Sequence, residues 1–286
     1  MGIKIGPLPL RRPALGLAAF AALVVLVLGG PASSDEAWPS HVSAVYKITF
    51  NGFEIGNFGF ESSVNSRNYT LSGNAELSAL LGVFNWKGLT RSSGTLSAEV
   101  PKPAAYTFEY KSNSKSGSVK MSFSDGRVAN STVVPPSSPS KATVPVQEQH
   151  LKDVLDPLSA VLALTRGPAA NPCGRRVAIF DGKQRFDLLL TFNRQLRVTE
   201  AVPSGQPSIA FVCRVRYLPI AGHKNNEENK KMAAEQGIEI AFRPIPSANL
   251  LVPYEVTIPT FAGSAKMTAQ KITIITPGMK QIALIH

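Results

Sequence analysis

Val42, Ala44, Tyr46, Ile48 and Phe50 alternate with Ser43, Lys47 and Thr49. That period of two puts the apolar set on one face of a strand. Asn51-Gly52 follows, a dipeptide that tolerates the positive φ angles of a two-residue hairpin turn, and Phe53, Ile55, Phe58 and Phe60 continue on a returning strand. The phase shifts near Gly56, which predicts a bulge there. Tyr69, Leu71 and Gly73 open another strand. Tyr106, Phe108 and Tyr110, then Val119, Met121 and Phe123, alternate in the same way before an Asp125-Gly126 turn.

Pro135 to Pro145 is rich in proline and serine and reads as an exposed connection. The period then changes. Leu151, Val154, Leu155, Leu158, Val161, Leu162 and Thr165 recur at spacings of three and four, the stripe of an amphipathic helix. Pro157 interrupts it, so Asp156 is predicted to be an N-cap and Pro157 the first residue of a helix. The result is one bent or two short helices.

Strand patterns return with Val177 to Phe180, an Asp181-Gly182 turn, Phe186, Leu188, Leu190 and Phe192 on one face, then Ile209 to Tyr217 with Cys213 on the apolar side. His223 to Gln236 is polar, a surface helix or loop. Four further runs, ending at Ile272 and Ile274, bring the count to about a dozen strands. The expected fold is mainly β: a single curved antiparallel sheet, or an open β-barrel or β-spiral, with one central helical segment. Such a curl makes a concavity that the helix can plug or a lipid-like ligand can fill.

Composition narrows the class. At 286 residues and 44% apolar, the chain is too hydrophobic for disorder and long enough for a large core. Its two cysteines exclude a cysteine-rich zinc module. Lys4, Arg11 and Arg12 precede an apolar run from Ala14 to Leu28 and a small-residue exit at residues 29–34. This is the arrangement of a secretory signal peptide, the apolar run being shorter than the roughly 20 residues that span a bilayer. Residues 1–34 are therefore expected to be a signal peptide and 35–286 a single periplasmic domain. An oxidising compartment favours pairing Cys173 with Cys213, while a redox pair is the functional alternative.

Net charge is +11, and removing Lys4, Arg11 and Arg12 leaves 27 basic against 19 acidic residues, or +8. Export makes nucleic acid an unsuitable partner. The charge suits anionic lipid headgroups and peripheral membrane contact, or is a generally basic soluble surface.

Tyr46 to Gly56 with its internal Gly52, Leu155-Asp156-Pro157-Leu158-Ser159-Ala160, Pro172-Cys173, Phe180 to Leu188, Cys213-Arg214 and Pro219-Ile220-Ala221-Gly222 together resemble the domain of unknown function 3108 family. The likeness runs from about Val42 to about Ile274. It implies an exported protein of the Gram-negative envelope and carries no enzymatic activity with it. Where the family pattern has a tyrosine after the Ala-Gly pair, this chain carries His223.

Candidate chemistry is sparse. His41, His150, His223 and His286 are dispersed, so neither a metal site nor a cofactor is expected. Ser116-Gly117-Ser118, assigned to a hairpin loop, is no nucleophile elbow. Arg185 and Asp187, two apart, are expected on a polar strand face as a local ion pair, with an acid/base role for Asp181 and Asp187 as the alternative. Leu80, Leu81, Val83, Phe84 and Trp86 could pack in a core, line an apolar ligand cavity or dip into a bilayer surface. The leading functional expectation is a non-enzymatic periplasmic envelope protein holding a lipid or an apolar partner segment in the concavity. A scaffolding protein acting through protein–protein contacts is the second, and a hydrolase of envelope polymers the third.

Overall fold

The computed structural model describes residues 38–79, 82–97, 100–136, 142–166, 172–198, 207–234, 237–260, 262–278 and 280–285. All lie in one compact unit, Asp35–His286. The signal segment expected over residues 1–34 lies outside the described residues.

Seven strands come first: β1 (His41–Phe50), β2 (Phe53–Asn65), β3 (Asn68–Ala79), β4 (Phe84–Ser97), β5 (Val100–Ser112), β6 (Ser116–Ser124) and β7 (Arg127–Val134). A helix, α1 (Pro157–Leu164), interrupts them. Then come β8 (Arg175–Phe180), β9 (Arg185–Arg197), β10 (Ile209–Ala221), a second helix α2 (Glu227–Ala234), β11 (Glu239–Ile245), β12 (Leu250–Thr260), β13 (Gly263–Ile275) and β14 (Gln281–Ile285). The fourteen described strands form one antiparallel sheet, thirteen of them in the order β7-β6-β5-β4-β3-β2-β1-β13-β12-β11-β10-β9-β8, with β14 paired to β13 off that path. The sheet forks at β13: Gly263–Thr268 pair with β12, whereas Lys271–Ile275 pair with β14 on that same side. The expected mainly β, single-sheet fold with a central helix is what forms, and the sheet stays open.

Local chemistry sets the hairpins and the curl. Asn51 and Gly52 have φ of 49° and 86°, Asp125 and Gly126 of 52° and 74°, the left-handed pairs that match the twist of a two-residue hairpin. The β1–β2 register slips between Ile48 and Thr49, opposite Ile55 and Gly56, so the expected bulge is present. A side chain at Gly56 would lie 1.9 Å from the Glu76 carbonyl oxygen, so only glycine lets β3 approach there.

α1 lies inside the curl. Leu158 and Leu162 pack with Tyr69, Leu71, Tyr106, Val119 and Met121 from the first strands, while Ala160 and Leu164 pack with Ile179, Leu190, Val215 and Phe242 from the last. One helix thus serves two sheet halves. The helical stripe begins later than its spacing suggests. Glu148–Leu151 form a single 3-10 turn, and Asp153 takes φ 52°. Leu155 is extended, donating to the Ala178 carbonyl and accepting from Phe180 N–H at 2.9 Å each. Asp153 N–H donates to Gly126 carbonyl at 2.8 Å. Hydrogen bonds to two sheet edges therefore overrode helical periodicity, and residues 152–155 cross the seam between β7 and β8.

Three other expectations need correction. Among the described residues the strands number fourteen: the segments at 84–97, 127–134 and 281–285 also pair, while the runs at Ala265–Met267 and Ile272–Ile274 merge into one strand, β13. Ser116-Gly117-Ser118 opens β6 rather than lying in a loop. Phe192 is 55% exposed although it alternates with buried Leu190.

Cys173 and Cys213 form a disulfide with Cα atoms 5.5 Å apart. It ties the segment entering β8 to β10, two strands away in the sheet order. Both residues are buried. In the loop-entropy model, closing the 40-residue separation stabilises the fold by roughly 4 kcal/mol.

Candidate functional site

Two features sit around α1, one polar and sealed, the other apolar and unfilled. The polar one starts at Asp156, the N-cap. Its Oδ1 accepts from the backbone N–H groups of Leu158 and Ser159, each at 3.0 Å, satisfying two of the helix's orphan donors. Its Oδ2 accepts from Ser159 Oγ at 2.5 Å and Ser92 Oγ at 2.9 Å. Ser159 Oγ also lies 2.7 Å from the Tyr69 hydroxyl. Asp156, Ser159, Ser92 and Tyr69 are all buried.

Burial pushes the Asp156 carboxyl above its usual range, against the opposing pull of its four hydrogen bonds. Burial likewise raises Tyr69 to about 12. Burial raises Tyr106, closer to the aromatic floor, to about 12 as well. The network locks α1 to β3 and β4. It offers no solvent-accessible nucleophile, since every member is enclosed.

The apolar feature is a cavity of about 140 Å³ between α1 and strands β1, β2, β11, β12 and β13. Phe58, Phe60, Val161, Leu162, Val252 and Met267 are among its walls. Tyr46 also lines it, with its hydroxyl satisfied by donating to the Pro253 carbonyl at 3.0 Å. Trp38 closes one side and carries the Arg166 guanidinium 4.3 Å from its ring centroid, a cation–π contact. A volume of this size accommodates a six-carbon ring.

The same inner sheet face continues beyond α1 as an aromatic floor. Trp86 is two and four residues from Gly88 and Thr90 on the strand face that bears Ser92, and Phe108 and Tyr110 share the face of Tyr106. Trp86 and Tyr110 are within 16° of parallel, with centroids 6.5 Å apart, and Phe108 lies 5.8 Å from Tyr110. The rings lie flat because glycines make room. A side chain at Gly88 would come within 2.3 Å of the Trp86 indole, and one at Gly117 within 2.6 Å of the Tyr110 ring. Tyr46, Phe58, Ala75, Gly88 and Tyr110 fall in one cross-strand row, so the floor leads to the cavity wall. Of the apolar cluster read from sequence, Trp86 belongs to this floor, Phe84 is 44% exposed at the start of β4, and Val83 is 73% exposed. Leu80 and Leu81 lie outside the described residues.

Asp187 departs from expectation. It is 1% exposed rather than on a polar surface face, and it is held between Arg185, itself 12% exposed, and Arg176. Its cross-strand neighbours are Ala178 and Leu218, which bury the carboxylate while two guanidinium groups satisfy it. Asp181 Oδ1 accepts from the backbone of Lys183 and Gln184, shaping its turn. His41 sits in β1, His150 in the 3-10 turn and His223 after β10, while His286 lies outside the described residues. No group of three potential metal ligands occurs among the described residues.

Sequence reasoning placed Asp156 at the helix start but missed its partners, since Tyr69, Ser92 and Ser159 share no local pattern. The cavity was equally hidden. Tyr46, Phe58 and Phe60 read as inward strand residues, and only the tertiary packing shows that α1 leaves space beside them. Among the described residues no helix is long and apolar enough to cross a membrane, which leaves open crossing by strands. A family model described as "Protein of unknown function (DUF3108)" matches residues 45–270. No curated protein and no solved structure matches.

Proposed function

Starting from the fact that this chain belongs to the DUF3108 family, we propose that it is a non-enzymatic periplasmic envelope protein that binds one long apolar chain, such as a lipid acyl chain. The chain end would enter the cavity beside α1. The observation that carries this reading is the cavity itself, walled by apolar side chains and continued by a half-buried aromatic floor. The basic, apolar and small-residue segments at residues 1–34, together with the disulfide, support the location.

Magnitudes favour a long ligand over a compact one. Six buried carbons contribute about 5 kcal/mol at ~0.8 kcal/mol per methylene. Association costs at least about 4 kcal/mol. A ligand confined to the cavity would bind barely at all, whereas one that also lies over Phe58, Trp86 and Tyr110 adds apolar burial on a preformed surface.

The test is binding of a fluorescent long-chain fatty acid, with native mass spectrometry of protein purified without detergent. Val161→Phe fills the cavity from the helix side, where Val161 is partly exposed. Saturable binding that falls at least tenfold in this variant is expected. No copurified lipid and no probe binding by the folded protein would refute the reading. The scaffolding alternative draws on β7, the terminal strand of the sheet, which could accept a partner strand. Crosslinking in intact cells through β7 separates it from the first.

A further inference from the structure

Four hairpin turns stand side by side at one end of the sheet: β12–β13, β1–β2, β3–β4 and β5–β6. Side chains tie neighbouring turns together. Asn51 Nδ2 donates to the Ala262 carbonyl at 3.2 Å, its Oδ1 accepts from Ser264 N–H at 2.9 Å, and Asn113 Nδ2 donates to the Val83 carbonyl at 2.7 Å. The four turns are therefore braced in two neighbouring pairs, β1–β2 with β12–β13 and β3–β4 with β5–β6.

This edge holds the two most exposed large apolar side chains among the described residues, Phe53 at 78% and Val83 at 73%, with Phe84 and Ile258 behind them. Single exposed apolar residues are ordinary on a protein surface. Several on adjacent tips at one end of the sheet are not. Lys111 and Lys115 are exposed on the β5–β6 hairpin. Behind the tips, the Lys87–Glu76 and Lys266–Glu255 ion pairs neutralise one another. Glu54 is the acid beside Phe53.

We propose that this edge docks on an anionic bilayer surface, Phe53, Val83 and Phe84 dipping below the headgroups and Lys111 and Lys115 contacting lipid phosphates. The shape favours a bilayer over a folded protein partner. The apolar groups protrude from separate turns, and a fluid interface accepts knobs at any spacing, whereas a protein hot spot needs a pocket shaped for each. Trp86 and the aromatic floor open just behind the tips, so docking would face that floor toward the lipid. The surface stands on the tips alone and does not require the cavity to hold a ligand.

The test uses the compact unit Asp35–His286, which contains every described strand and omits the apolar N-terminal run. It is sedimented with vesicles of phosphatidylethanolamine and phosphatidylglycerol, and in parallel with pure phosphatidylcholine. Binding to the anionic vesicles is expected, with a partition coefficient that falls at least tenfold in the combined Phe53→Ser, Val83→Ser, Phe84→Ser variant at unchanged melting temperature. Lys111→Gln and Lys115→Gln should each weaken anionic-vesicle binding about fivefold and leave phosphatidylcholine binding unchanged. Val100→Ser, at an exposed site in the β4–β5 turn region on the opposite end, is the control and should bind normally. Failure of the unmodified protein to sediment, or an equal loss in the control, overturns the proposal. Fatty-acid binding without vesicle binding would do so too while leaving the cavity reading intact.

Discussion

Tyr69 and Ser159, ninety positions apart in the chain, meet through a 2.7 Å hydroxyl–hydroxyl hydrogen bond inside the protein. Ser159 passes that link to Asp156, and Ser92 completes the set. A helix of eight residues is too short to persist alone, so α1 owes its existence to this docking and to burial of Leu158 and Leu162.

Asp156→Ala should therefore cost more than a lost cap. Capping contributes about 1 kcal/mol, and stranding buried hydroxyls adds about 1–3 kcal/mol. Chemical denaturation should show a loss of about 2–4 kcal/mol by those two effects. A loss below half a kcal/mol would mean that the network is ornamental.

The same carboxyl gives a signed pH response. Its folded pKa is raised by burial, so the native state holds the proton more tightly than the unfolded chain. Stability from this group is greatest below the unfolded value near 3.9 and falls as pH rises toward the folded pKa. Glu239 runs the other way: the hydrogen bond from Arg194 lowers its pKa, so its contribution fades as pH drops through the folded value. Melting curves across acid pH should show Asp156→Asn removing the falling component and Glu239→Gln removing part of the rising one. Identical pH profiles for the two variants would contradict these assignments.

Reduction of the Cys173–Cys213 bridge, or Cys173→Ser with Cys213→Ser, should destabilise the protein by about 2–4 kcal/mol in guanidinium titrations. The loosened segment should be the entry to β8, read as faster amide exchange there. Uniform exchange throughout would argue against a local staple.

Two glycines on β4 separate backbone crowding from side-chain crowding. At Gly94 a new methyl group would lie 2.2 Å from the Lys102 carbonyl oxygen, whereas at Gly88 its three nearest atoms all belong to the Trp86 ring. Gly94→Ala should lose about 1–3 kcal/mol through overpacking. Gly88→Ala should keep its stability and shift Trp86 fluorescence, because the ring can swing away. Equal stabilities would show that β5 yields freely at Gly94.

Asp187→Asn should cost about 3–5 kcal/mol, since it leaves the shielded Arg185 cation facing a neutral amide. Arg176→Ala, removing the exposed partner, should cost under about 1 kcal/mol. Thermal melts of both variants decide it.

Alternation from Val42 to Phe50, the Asn51-Gly52 and Asp125-Gly126 turns and the Asp156-Pro157 helix start were legible because each rests on neighbouring residues. Leu151 to Leu155 misled because amphipathic spacing says nothing about strand edges waiting nearby. Asp187 misled for a related reason: alternation identifies two faces of β9 but cannot reveal that its carboxylate is enclosed there between Arg176 and Arg185. The cavity beside α1 depends on how a helix and five strands fail to fill space together, and no window of sequence encodes that. What local pattern did supply was the inward orientation of Tyr46 and Phe58, which became the cavity wall.

β1 is hydrogen-bonded on one side to β13, whose first residue, Gly263, lies more than two hundred positions downstream. A ribosome or translocon delivers the first seven strands with their greasy side bare, then α1, and the closing neighbour of β1 near the very end. During that interval the half-made molecule displays both an unsatisfied strand and an uncovered oily sheet, the two surfaces that chaperones grip and aggregates grow from. Successful production of this protein therefore depends on holding its early half apart from its siblings until β13 arrives.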